Sequence, residues 1–187
     1  MTMTRKTVLM NALLIIGVLL MTTAMSVAKT PLKVTEIRSE GSPLITFRII
    51  LRAGSINDWK GKEGINGLTA FMIANGGTQK LKFQEVVGKM YPWAAGINVQ
   101  QEKEITTFAG TIHRDHLDEF YTLLSDLLIA PRFDPDDFTR NKDLALSSLE
   151  KNLRGTDDEN LGKEAFMVSL FKNHPYGTAG ATVQGLK

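Results

Sequence analysis

The chain has 187 residues, enough for one domain with a substantial core, and 43% hydrophobic with 22% charged residues is ordinary for a globular protein. It has no cysteine, which excludes disulfides, thiolate metal sites and a lipid-modified N-terminal cysteine. Its formal charge of +2 carries no nucleic-acid signature: once Arg5 and Lys6 in the first 28 residues are set aside, 20 basic side chains face 20 acidic ones.

Residues 1–28 read as an export signal. Arg5 and Lys6 open it. Val8 to Met21 is apolar apart from Asn11 and Gly17, and Ser26-Val27-Ala28 places small residues at a cleavage site. The apolar run is shorter than the ~20 residues that favour a spanning helix. Cleavage after Ala28 and release into a periplasm is the expectation; retention as an uncleaved membrane anchor is the alternative.

Leu32 to Arg38 and Leu44 to Arg52 read as two strands joined by the Gly41-Ser42-Pro43 turn. The second becomes continuously apolar, as a strand covered on both faces would. Asp58 to Gly64 is a polar loop. Ile65 to Asn75 is predicted helical and is stopped by Gly76-Gly77. Lys82 to Tyr91 forms a second helix that presents Phe83, Val86, Val87 and Met90 on one face and ends at Pro92. Ile97 to Gln101 and Glu104 to His113 suit an antiparallel pair. Asp115 to Ala130 is amphipathic, with Leu117, Phe120, Tyr121, Leu124, Leu127 and Leu128 at helical spacing. Asp134 as N-cap with Pro135 at the first helical position starts a helix that runs to about Arg154. Asp157 or Asp158 caps a last helix, to about Asn173. Strand pairs alternating with helices predict an α+β domain, a mostly antiparallel sheet with helices on one face.

Six short segments, in order, resemble the M16 metallopeptidases (insulinase, pitrilysin and mitochondrial processing peptidase). They are Leu51-Arg52-Ala53-Gly54-Ser55, the stretch Glu63 to Thr78, Ala94 to Val99, Glu104 to Phe108, Ala130-Pro131-Arg132-Phe133 and His174-Pro175-Tyr176-Gly177. The family reads G-L-x-H-F-L-E-H-x-x-x-x-G-T across its zinc helix. This chain reads Gly67-Leu68-Thr69-Ala70-Phe71-Met72-Ile73-Ala74-Asn75-Gly76-Gly77-Thr78, two residues shorter before Gly-Thr. Counted from Gly67-Leu68, Ala70, Ile73 and Ala74 stand at the His, Glu and His positions. Zinc needs nitrogen, oxygen or sulfur donors, and these side chains have none.

The resemblance implies the fold of the family's N-terminal domain over residues 29–187, incomplete at its C-terminal end and poorly behaved when isolated. It implies that zinc, the cofactor of active members, is not bound here. Glu150 falls near the family's third ligand and is a candidate vestigial ligand; an ordinary exposed Glu on an amphipathic helix is the plainer reading. Asn98, Val99 and Glu104 fall where active relatives hold peptide against a strand edge, an interaction that needs backbone groups and no catalytic residue; for Asn98 a strand-ending turn is the alternative. Ala70, Ile73 and Ala74 either wall a dry cleft or pack as core. His113 and His116 flank a strand end and a helix start, so their rings should diverge, and His174 should pack near Tyr176.

Three roles follow. The first is a non-catalytic domain of an exported peptidase system that binds a peptide or unfolded segment and pairs with an active M16 chain. The second is part of a zinc endopeptidase whose catalytic site lies in another part of a longer chain. The third is a binding or structural module with no peptidase partner.

Overall fold

The computed structural model describes residues 32–187, so the export-signal reading lies outside the described residues. The chain divides into two units, Met1–Glu40 and Gly41–Lys187. Of the first, Leu32–Glu40 is irregular and exposed, with Leu32, Val34 and Ile37 facing solvent. The strand expected over Leu32–Arg38 is therefore absent. Alternating side chains suit a strand, but a strand exists only where a neighbour takes up its backbone hydrogen bonds.

The second unit is α+β. Strands β1 (Leu44–Leu51), β2 (Gly96–Gln101) and β3 (Thr106–His113) form an antiparallel sheet in the order β1-β3-β2. Phe47 pairs with Gly110, Ile49 with Phe108, and Asn98 with Ala109. The helices are α1 (Ile65–Asn75), α2 (Phe83–Met90), α3 (Leu117–Ile129), α4 (Pro135–Ser147), α5 (Asp158–Phe171) and the short α6 (Val183–Leu186). α4 continues through a π-helical turn, Ser148–Leu153. The bounds of α1 match the sequence reading, and Gly76 caps it.

β1 departs from expectation. Ile45, Phe47 and Ile49 are half-buried while Leu44, Thr46, Arg48 and Ile50 are exposed, so helices cover one face only. Phe47 packs on Phe120 of α3, ring centroids 5.4 Å apart. α3 is also rotated from its expected seat. Phe120, Leu123, Leu124 and Leu127 are buried, whereas Tyr121 is 66% exposed. So many apolar residues line α3 that period alone leaves its inward face open, and contact with Ile112, Val86 and Met90 decides it.

Three of the short segments singled out in the sequence lie where backbone meets backbone. Gly54 lies against the β2–β3 turn: a Cβ there would sit 2.3 Å from the Lys103 carbonyl oxygen. That closeness lets the Ser55 and Ile56 N–H groups donate to the Glu102 and Lys103 carbonyls, each at 3.0 Å. Thr78 bridges to Pro131, and Arg132 N–H donates to the Gly77 carbonyl at 3.1 Å, so Gly77-Thr78 and Pro131-Arg132 hold each other.

Asp134 and Asp157 cap α4 and α5 as expected, accepting from the N–H groups of Asp136 (3.0 Å) and Asn160 (3.1 Å). The Asp136 N–H, then Arg132, holds the Asp134 carboxyl below its ordinary range. The Asn160 side chain and N–H do the same for Asp157. A lowered carboxylate stabilises the fold above its unfolded-state value, and that contribution disappears as pH falls through the lowered one. Acidification below the ordinary carboxylate range should therefore loosen the first turn of α4. Asp134→Asn keeps a capping acceptor without titrating, so hydrogen exchange at Asp136 to Phe138 should accelerate with acid in the parent beyond the change seen in the variant.

Candidate functional site

The segment Gly67 to Thr78, singled out in the sequence for its likeness to a metal helix, begins on α1. The N-terminus of α1 is fixed by Asp58, whose carboxylate accepts from the backbone N–H groups of Gly64 (2.6 Å) and Asn66 (2.9 Å). Both groups belong to the unpaired first turn of a helix, where a carboxylate is favoured.

α1 has two distinct sides. Ala70 and Ala74 are 6% and 4% exposed and join the core cluster of Phe108, with Ile49, Ile73, Ile97 and Val99 around it. Gly67 precedes them at helical spacing and faces Gln101: a Cβ at Gly67 would lie 2.6 Å from Gln101 Oε1. Gly67, Ala70 and Ala74 are thus the helix's contact with the sheet. Of the two readings of Ala70, Ile73 and Ala74, the geometry places them in core packing.

The other side looks at α4. Leu68 and Met72 are buried against Ala145, Leu146, Leu149 and Leu186. Asn141, 3% exposed on α4, donates through Nδ2 to the Met72 sulfur at 2.9 Å. Leu149 belongs to the π-helical turn that bears Glu150, which is itself exposed. A metal shared between α1 and Glu150 would need this side of α1. Counted back from Gly77-Thr78, the family spacing lands on Leu68, Phe71 and Met72, at the same i, i+3, i+4 interval; the two-residue deficit makes both counts available. Neither set fits zinc. The first offers no donor atom. The second offers one thioether, which is a weak and soft ligand and is already engaged by Asn141. Among the described residues no group of three or more His, Asp or Glu converges.

β2 is an edge strand, hydrogen-bonded to β3 alone among the described strands. Asn98 is mid-strand and exposed, which sets aside its reading as a strand-ending turn residue; Val99 is half-buried toward α1. Glu104 is displaced from its expected place, because β3 starts at Thr106 and Glu104 lies in the β2–β3 turn. There it accepts a hydrogen bond from the Tyr176 hydroxyl. The Glu104 carboxylate keeps the proton on Tyr176 and pushes its ionisation up. Lys103 Nζ donates to the Thr178 carbonyl. The His-Pro-Tyr-Gly segment thus clasps the hairpin. His174 and Phe171 pack around Tyr176, with ring centroids 5.1 and 5.5 Å away, as the sequence led one to expect for His174. His113 and His116 do part company: His113 Nδ1 accepts from the Asp115 N–H at 3.3 Å, while His116 stacks on Trp93 with centroids 5.8 Å apart.

Between α1, the end of β2, α4 and its π-helical turn lies an open cavity of about 440 Å³, bordered by Gly67, Phe71, Gln101, Asn141, Leu144 and Ser148. Gln101 and Asn141 were not singled out in the sequence. The available signal was a polar residue, Asn141, on the inward stripe of an otherwise amphipathic helix.

A family model described as insulinase (peptidase family M16) matches residues 33–179. Comparison with curated proteins finds no match. Among solved structures, the chain is similar to a peptidase M16 inactive domain from Pseudomonas fluorescens, with TM-score 0.73 and 20% identity over 80% of this chain and 36% of that one. It is also similar to a protease from Helicobacter pylori, with TM-score 0.65 and 18% identity over 78% of this chain and 35% of that one. The chain spans about a third of the length of either structure, and at these identities the likeness is one of fold.

Installing the motif as counted from Gly67 should fail for a steric reason. Ala70→His, Ile73→Glu and Ala74→His together would force two imidazoles into the Phe108 contact. Overpacking of a core costs typically about 1–3 kcal/mol per site. The triple variant should melt below the parent and hold no stoichiometric zinc by elemental analysis after dialysis; a parent-like melt with one bound zinc per chain would contradict the packing described.

Proposed function

The chain belongs to the insulinase family, peptidase family M16, and from that premise we propose that it is a non-catalytic member that holds peptide without hydrolysing it. The observation that carries the reading is the chemistry of α1. In this fold, water activation needs a metal and a carboxylate base together, and on either count α1 supplies carbon or a thioether at those positions. What supports a retained binding role is the outer edge of β2, whose backbone donors and acceptors pair with no described strand and can take an extended peptide as a further one.

The activity then resides in a partner. The protein acts as the inactive member of an exported pair: it closes over an unfolded segment while an active M16 chain cuts it. Export follows from residues 1–28, with a mature N-terminus at Lys29 and a periplasmic location. A second reading is favoured by length, since the matched structures are nearly three times as long as the matched region: the catalytic motif then lies in another part of a longer chain of which this is one domain.

Two measurements test these readings. Peptide mass mapping of the exported protein should start at Lys29; an intact Met1 in a membrane fraction would assign residues 1–28 to an anchor instead. In a degradation assay with an unfolded peptide, the chain alone should be inert. Its addition to an active M16 chain from the same source should raise the rate above that of the active chain alone. Chelator-sensitive cleavage by this chain by itself would overturn the non-catalytic reading.

A further inference from the structure

Leu68 and Leu186 border the cavity beside β2 and also border a separate cleft, formed by the start of α1, the start of α4 and the short α6. Ile65, Leu68, Thr69 and Met72 follow one another at helical spacing along α1, and Phe138 and Lys142 stand one turn apart on α4. Each helix therefore gives the cleft one stripe of side chains. Phe133, just before α4, and Lys62, in the loop before α1, complete the walls.

The floor is apolar and the border is cationic. Leu68, Met72 and Leu186 are buried, while Ile65, Phe133 and Phe138 leave apolar surface uncovered. Three lysines border the cleft, Lys62, Lys142 and Lys187, and among the described residues no acidic side chain does. None of the three takes part in an ion pair among the described residues. Lys142 is half-buried. Withdrawing a charge from water is costly unless the charge is paired, so an anion is favoured beside it, and an apolar body is favoured on the floor.

The backbone holds Phe133 at this cleft. Its φ of 49° lies in the left-handed region, which bulky residues rarely adopt. Its neighbours do not let it relax: the Arg132 N–H donates to the Gly77 carbonyl at 3.1 Å, Asp134 caps α4, and Arg132 Nε donates to the Asp134 carboxylate at 3.2 Å. Such conformations gather at ligand clamps. The volume of about 310 Å³ is at the small end of the range of small-molecule sites, which suits a short apolar body. A lysine ammonium is a compact point charge without the planar fork of a guanidinium, so the head group is selected by charge.

We propose that this cleft binds a medium-chain alkanoate, with its hydrocarbon tail against Met72, Phe133 and Phe138 and its carboxylate at Lys142 and Lys62. The site is independent of the peptide-holding reading of the β2 edge and of any metal on α1.

The test titrates octanoate, 1-octanol and octylammonium, each below its aggregation concentration, into the isotope-labelled full chain. Octanoate should shift the amide signals of Thr69, Phe133, Phe138 and Gly185 saturably. It should bind about tenfold tighter than octanol, the scale of one charge-assisted contact, and octylammonium should bind more weakly than either. Absence of saturable shifts with octanoate overturns the site, and an affinity for octanol or octylammonium equal to that for octanoate overturns its selection of an anion. These comparisons on the parent decide the matter even where a variant fails to fold. With circular dichroism like the parent's, the double variant Lys62→Met with Lys142→Met keeps apolar stems without charge and should bring octanoate down to the affinity of octanol; a surviving preference contradicts the proposal. Thr69→Trp covers the cleft from an exposed position on α1 and should abolish the shifts, whereas shifts that persist there place the ligand elsewhere and overturn the assignment.

Discussion

Helix α1 can lie close on the sheet because Gly67, Ala70 and Ala74 put almost no side chain between its backbone and the strands. Phe108 on the central strand, 1% exposed, fills the space they leave, and the carboxamide of Gln101 covers Gly67. Much of the rest follows from that approach. With one side of α1 committed to β2 and β3, the opposite side is offered to α4, where Leu68 and Met72 meet Leu149 and Asn141. Burial of this kind is driven by removal of apolar surface from water, and dense packing leaves little tolerance for added volume. The same contact fixes which positions of the helix are available for function and which have become core.

That division separates the contacts that hold the fold from the positions at which a metal helix would present ligands. Gly54 and the Gly77-Thr78 to Pro131-Arg132 contact position backbone against backbone, and the Tyr176 hydroxyl ties its segment to the β2–β3 turn through the Glu104 side chain. None depends on a metal. They hold the edge strand β2 and the helices beside it in place whatever side chains α1 carries. α4 also continues into the π-helical turn Ser148–Leu153. Such turns interrupt a helix at some cost and are common at functional sites, and here the turn forms one wall of the cavity beside β2.

Much of the fold could be read from the residues because local rules govern it. Asp134 with Pro135, Asp157, and Gly76-Gly77 punctuate helices through groups on the same few residues, so α1, α4 and α5 begin or end where those residues stand. The failures are instructive for the opposite reason. Leu32 to Arg38 alternates like a strand but lies unpaired, since pairing depends on a partner that no local pattern contains. β1 is covered on one face although its composition suits two. Glu104 reads as the start of a strand and is instead a turn residue held by a tyrosine 72 positions away.

What the sequence determined by itself is chemical inventory: the absence of cysteine, the succession of segments that marks the M16 family, and the lack of imidazole and carboxylate on α1. Donor atoms are a property of residues, and no folding can supply them. What the tertiary structure decided is direction. The sequence places Ala70, Ile73 and Ala74 one helical turn apart and equally places Leu68, Phe71 and Met72 one turn apart; both intervals are 3.6-residue periods on the same helix. Only the packing of Phe108 on one side and of Leu149 on the other shows which set looks into the sheet and which looks at the turn that carries Glu150, because a helix's orientation about its own axis is set by its neighbours.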